Sequence, residues 1–179
     1  DIFGSRGLGD VYKRQLITIA EGSSWAIEKK LVKQTLLEAS NDSIFSRKNY
    51  VSAAENIGRE RIGGAILNVD LDLTHPLAFG YRDSSIPVYK NNNVFINKTK
   101  NHYSSVGIYS EDPHIDGYIS EKNMKNNFKN TASLIVSKLG SGRVVIFADN
   151  PNFRGSWYGT NKLFLNAIFF GNNINVPTN

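Results

Sequence analysis

The 179-residue chain contains no cysteine. That excludes disulfides, thiolate nucleophiles and cysteine-ligated zinc. It leaves the compartment open, because a chain of this length can bury enough core without cross-links. No apolar run approaches the roughly 18 residues of a membrane helix; Ile168-Phe169-Phe170 is the densest apolar point, and it is short. Charge of one sign is not concentrated either. The net charge is +5, yet after the first fifteen residues the only adjacent basic pairs are Lys29-Lys30 and Arg47-Lys48. Without a basic run or stripe, neither nucleic acid nor membrane is an expected partner. What is present, 40% apolar and 21% charged residues, is the balance of one globular domain. The 21 asparagines, several in clusters such as Asn91-Asn92-Asn93, read as compositional bias and turn chemistry.

Asp1 to Gln15 reads DIFGSRGLGDVYKRQ and lacks the apolar stretch of a secretory signal. Gly7-x-Gly9 is not a phosphate loop, since no strand precedes it and Lys13 has the wrong spacing. The run GLGDVYKRQ resembles a translated linker from amplified environmental (metagenomic) DNA. Residues 1–15 are accordingly expected to be non-native, 16–172 to be the C-terminal part of a domain, and 173–179 a tail.

Leu16 to Ala20 is a short apolar run that predicts a buried parallel strand. Ser23 or Ser24 is placed to cap a following helix, with Trp25, Ile27, Leu31, Val32 and Leu36 on its apolar side. Residues 40–49 read as loop, and Tyr50 to Arg61 as helix stopped by Gly63-Gly64. Ala65 to Leu71 alternates as a strand. Ile86–Tyr89 and Val94–Ile96 look like two strands joined across the asparagine triplet, and Val106–Tyr109 like another. Ser120 opens a short helix to about Phe128. Ala132–Lys138 and Arg143–Ala148 flank Gly140-Ser141-Gly142 as a hairpin. Thr160 is expected to cap a helix over Asn161–Phe170. That helix is apolar nearly all round, which predicts burial on more than one side.

Several strings are specific enough to suggest a family. They are Ile62-Gly63-Gly64-Ala65-Ile66, Asp70 through Tyr81 (DLDLTHPLAFGY), Gly117-Tyr118-Ile119-Ser120-Glu121, Ser141 through Gly155 (SGRVVIFADNPNFRG), and Trp157 through Ile168. Together they resemble the C-terminal region of large zinc carboxypeptidase-like proteins of Bacteroidetes-type bacteria, a class I glutamine amidotransferase-like domain appended to the peptidase. The resemblance covers about residues 16 to 172. It implies a truncated flavodoxin-like three-layer α/β sandwich, with a mostly parallel sheet, a C-terminal antiparallel hairpin and a buried final helix. It implies that the partner is the upstream peptidase domain of the same parent chain, which would hold the zinc. It also implies a periplasmic or secreted parent.

Catalytic machinery is hard to find in these residues. A class I amidotransferase needs a cysteine at a strand-to-helix elbow, activated by a histidine that a glutamate orients. Here the turn reads Glu21-Gly22-Ser23-Ser24-Trp25, and the late strand leads into Asp149-Asn150-Pro151 with neither His nor Glu. Gly22-x-Ser24-x-Ala26 comes within one residue of an esterase elbow, which makes Ser24 a candidate nucleophile with His102 or His114 and Asp70 or Asp72 as partners. A helix-capping serine is the simpler reading. The peptidase zinc pattern His-x-x-Glu is absent at His75, His102 and His114. Asp70, Asp72 and His75 could be imagined on a metal, but a histidine before proline reads as a turn cap. Asn150, Phe153, Arg154, Trp157 and Tyr158 form a possible ligand rim or docking interface after the last strand. The expected role is a non-catalytic accessory (pseudoenzyme) domain without its own cofactor or metal. The alternatives are a carbohydrate-associated module of a glycosidase-type protein, and a serine hydrolase using Ser24.

Overall fold

The computed structural model describes residues 15–37, 47 and 49–177. Seven strands form one mixed sheet, curled into a half-barrel. They are β1 Gln15–Ile19, β2 Ala65–Leu71, β3 Ser85–Lys90, β4 Ile96–Asn97, β5 Ser105–Gly117, β6 Thr131–Leu139 and β7 Gly142–Phe147. Their order is β1-β7-β6-β5-β2-β3, with β4 attached to β6 off that path. Of the strand pairs, β1 with β7 is parallel and all others are antiparallel. The expectation of a mostly parallel flavodoxin-like sandwich is therefore overturned. The reason lies in the connections: a parallel neighbour needs a crossover of about a dozen residues or more, usually a helix. Here β6–β7 is joined by Gly140-Ser141 alone, and β2–β3 by a link whose helical residues are Pro76–Ala78, so the chain folds back at both.

Among the described residues, four α-helices accompany the sheet: α1 Glu21–Glu28, α2 Ala53–Glu60, α3 Glu121–Asn127 and α4 Tyr158–Phe170. They cannot cover two faces evenly, and the core shows it. β6 and β7 are apolar on both sides. Leu134, Val136, Val145 and Phe147 enter the larger cluster with Leu163 and Ala167 of α4, while Ile135, Val144 and Ile146 enter a smaller one with Val32 and Ile96. β2 is one-sided, with Ala65, Leu67, Val69 and Leu71 buried and Asp70 exposed. The sheet is thus a two-faced layer in its β6–β7 region and a one-faced layer towards β3.

Several local expectations change. The helix after β1 stops at Glu28, and Lys30 takes a left-handed φ of 56°. Val32 and Leu36 reach the smaller cluster from irregular chain instead of a helical face. β3 and β4 do not pair with each other; β3 pairs with β2 and β4 with β6. β5 runs on to Gly117 through the polar SEDPHIDG stretch, which the sequence pattern leaves unassigned. Gly117 itself is required there: its φ is +89°, and a Cβ would lie 2.6 Å from the Gly64 carbonyl oxygen. The Ser120 cap forms as expected, its Oγ accepting the Asn123 N–H. The β6–β7 hairpin also forms, with Leu139 opposite Gly142. α2 buries no residue. Most of the 40–49 stretch, and residues 1–14 of the expected linker, lie outside the described residues. Gln15 is the first residue of β1, opposite Arg143, and in the expected tail Ile174 and Val176 are buried in the core.

α4 departs most clearly from its expected setting. Its inward face, Thr160, Leu163, Asn166 and Ala167, is buried. The outward residues Leu165, Ile168 and Phe169 are 44%, 45% and 71% exposed. Burial on more than one side is therefore overturned. Thr160 does not cap the helix either, because its Oγ1 donates to the Pro151 carbonyl at 2.8 Å. The turn before β3 straps α4 down. Asn166 Nδ2 donates to the Leu77 and Phe79 carbonyls at 2.7 and 2.9 Å, and Tyr81 OH donates to Gly159 O at 2.7 Å.

Candidate functional site

The parallel pair β1–β7 places two chain reversals side by side. β1 runs into Ala20, which turns at once into α1, while Ala148-Asp149 follows β7. The Ala20 N–H donates to the Phe147 carbonyl at 2.9 Å, and the Ser23 N–H returns to the Ala20 carbonyl at 2.9 Å. Ala20 itself sits at φ 50°, ψ −119°. This is a conformation that costs an L-residue about 1–3 kcal/mol. A strained residue at a sharp strand-to-helix turn is the geometry in which hydrolases present a nucleophile. The elbow residue is thus Ala20, whose methyl group carries no reactive atom.

Both serines lie inside the first turn of α1, and neither is its N-cap. Ser23 is fully buried and donates to the Phe147 carbonyl at 2.8 Å, so its hydroxyl fastens the helix to β7. Ser24 lies one position further on and is half-buried. The histidines that could serve it lie elsewhere. His114 is on β5, three strands from β1 or about 14 Å at the usual strand spacing, and its Nε2 meets Gly117 O at 2.8 Å. His75 precedes the turn that leads towards β3, and its Nδ1 accepts the Leu77 N–H at 3.1 Å. Burial pushes the His75 pKa below 6.5, against the opposing charge of Asp72. His102 is exposed in the β4–β5 link. Asp72 caps its own turn by accepting the Thr74 N–H at 2.9 Å. Among the described residues no group of three His, Asp or Glu side chains is close enough to hold a metal ion.

The chain matches no family model, no curated protein and no solved structure.

Beside the elbow lies a buried polar cluster that the sequence reading missed. Lys90, fully buried, donates to Asp149 Oδ1 at 3.0 Å and to Val94 O at 2.8 Å. Asp149 also accepts Tyr109 OH at 2.7 Å and Ser133 Oγ at 2.5 Å. Asn92 completes it, accepting from Lys90 at 3.3 Å and from the Val94 N–H at 2.9 Å, and donating to Ala148 O at 3.1 Å. Burial first, and then the Asp149 charge, push the Tyr109 pKa well above 10. The adjoining cavity, about 10 Å³, is lined by Ser133, Asp149, Asn150 and Thr160 among others. That is room for about one water. A sequence signal existed: Ile86, Val88 and Lys90 are the inward positions of β3. A lysine at an inward strand position requires a buried partner.

Of the expected rim, Phe153, Arg154 and Trp157 gather around Tyr89 at the β3 edge. Asn150 turns on itself, its Oδ1 accepting the Asn152 N–H at 3.0 Å. Phe153 stacks on Tyr89 of β3 with ring centres 3.9 Å apart, and Trp157 Nε1 donates to Pro87 O at 3.3 Å. Arg154 has a left-handed φ of 52° and lies over the Phe153 ring. Tyr158 is 80% exposed at the start of α4. Phe153 and Trp157 thus dress the β3 edge, five strands away from Ser24 and Ala20 in the sheet order.

Proposed function

We propose that this chain is a non-catalytic accessory domain, part of a zinc carboxypeptidase-like parent, and that it packs against the domain preceding it. The observation that carries the reading is Ala20. A strained elbow has been kept at the junction of β1 and α1, where its reactive side chain would stand, with a methyl group in its place. The class of the parent rests on the resemblance of the motif strings. The packing role is supported by the outward face of α4, where Leu165, Ile168 and Phe169 are exposed together. The occupant suggested for that face is the preceding domain, the partner that the resemblance implies.

Two measurements test this. Wild-type chain should hydrolyse neither glutamine nor nitrophenyl esters, and Ser24→Ala should change nothing; ester turnover abolished by Ser24→Ala overturns the non-catalytic reading. In the full parent, a photo-crosslinking residue at Phe169 should join to residues preceding β1. Crosslinks that never reach that region overturn the packing role.

A further inference from the structure

The link between β4 and β5 runs alongside β6 and is tied to it where the Val136 N–H donates to Ser104 O at 2.9 Å. A groove of about 890 Å³ opens there. Its charged lining is Lys33, Lys98, Lys100 and Lys138, with no carboxylate among the described lining residues. Lys33, Lys98 and Lys138 are exposed, and none forms an ion pair among the described residues. A cleft lined by one sign of charge focuses its field and concentrates counter-ions. The groove takes its sign from residues scattered along the sequence, so no basic run announces it.

We propose that this groove binds an acidic oligosaccharide, a chain of uronate sugars. Three features select that class. The lysines present compact ammonium charges that pair with carboxylates. No aromatic side chain lines the groove, so the stacking platform of single-stranded nucleic acid binding is missing among the described residues. The wall also offers one acceptor that needs a donor. Gln34 belongs to the lining, and its Oε1 is buried without a hydrogen-bond partner. A turn of that amide would present it to a sugar hydroxyl. A ligand that is anionic and also rich in hydroxyl donors satisfies both the lysines and the glutamine. This inference does not depend on the empty elbow.

The test is calorimetric titration of the 179-residue chain with tetragalacturonate, with cellotetraose as the neutral comparison and a thymidine oligonucleotide as the other polyanion. Tetragalacturonate should bind, more weakly as salt rises, and cellotetraose should not. The double variant Lys98→Glu/Lys138→Glu should weaken binding by about tenfold or more. Gln34→Ala should weaken it by a smaller factor, and Lys98→Ala/Lys138→Ala serves if the charge reversal perturbs folding. Absence of tetragalacturonate binding, affinity unchanged in the lysine variants, or equal or tighter binding of the oligonucleotide overturns the proposal.

Discussion

Lys90 and Asp149 lie 59 residues apart in the chain and meet at 3.0 Å in the interior, one from the end of β3 and the other just after β7. Those strands occupy almost opposite ends of the sheet order, so the pair spans the inside of the curl. Removing one member strands the other charge in an apolar setting, at a cost of about 3–5 kcal/mol. Lys90→Met and Asp149→Leu should each destabilise by that amount in urea unfolding. The double variant should lose less than the sum of the two, and additive losses would contradict direct coupling.

Ala20 makes a prediction opposite in sign to the usual effect of glycine. Glycine adopts positive φ freely, so Ala20→Gly should leave stability unchanged or raise it by up to about 1 kcal/mol. Ala20→Val should lower it by more than that. Equilibrium denaturation of the two variants decides. A clear loss in Ala20→Gly would mean the turn is not strained.

His75 and Tyr109 set opposite ends of the pH profile. The folded pKa of His75 is lowered by burial, so its contribution is present above about pH 6.5 and fades as pH falls through the folded value. Protonation also removes the Nδ1 acceptor that holds the Leu77 N–H. Unfolding midpoints should therefore fall on acidification from neutral pH, and His75→Asn should flatten that fall. The folded pKa of Tyr109 is raised well above 10, so its contribution is intact below 10 and is lost as pH climbs towards the folded value. The alkaline decline should be shallower in Tyr109→Phe.

The two sides of α4 should respond differently to substitution. Leu163→Ala, on the buried side, should cost about 2–5 kcal/mol. Phe169→Lys, on the exposed side, should shift stability by only about 0.5 kcal/mol or less. It should also reduce binding of a hydrophobic dye and raise solubility. Dye binding unchanged in Phe169→Lys would place the exposed apolar surface elsewhere.

The readable parts of this chain were those whose signals are local. β2, the β6–β7 hairpin, the Ser120-capped α3 and the body of α4 all follow from alternation, turn residues and helical spacing. Which strands become neighbours did not follow. β1 pairs with β7 across more than a hundred residues, and nothing in either run distinguishes a parallel from an antiparallel partner. The second half of β5 was missed because most of its side chains face solvent and carry no apolar alternation. The elbow was displaced by four residues for a related reason. Ser24 advertises chemistry through its side chain, whereas the strain at Ala20 exists only in the backbone. Lys90 was legible in principle, as an inward-facing charge, but its partner Asp149 could be found only once the strands were paired.

The two margins of the sheet differ in one further respect. β3 carries Pro87, which has no N–H to offer, and Trp157 occupies the Pro87 carbonyl, so that border is sealed against an incoming strand. β1 at the other border is the apolar stretch Gln-Leu-Ile-Thr-Ile with no proline or charge. Any unwanted self-association by strand addition should therefore be directional, beginning at β1 and leaving β3 untouched. A single lysine or proline placed in β1 should suffice to stop it.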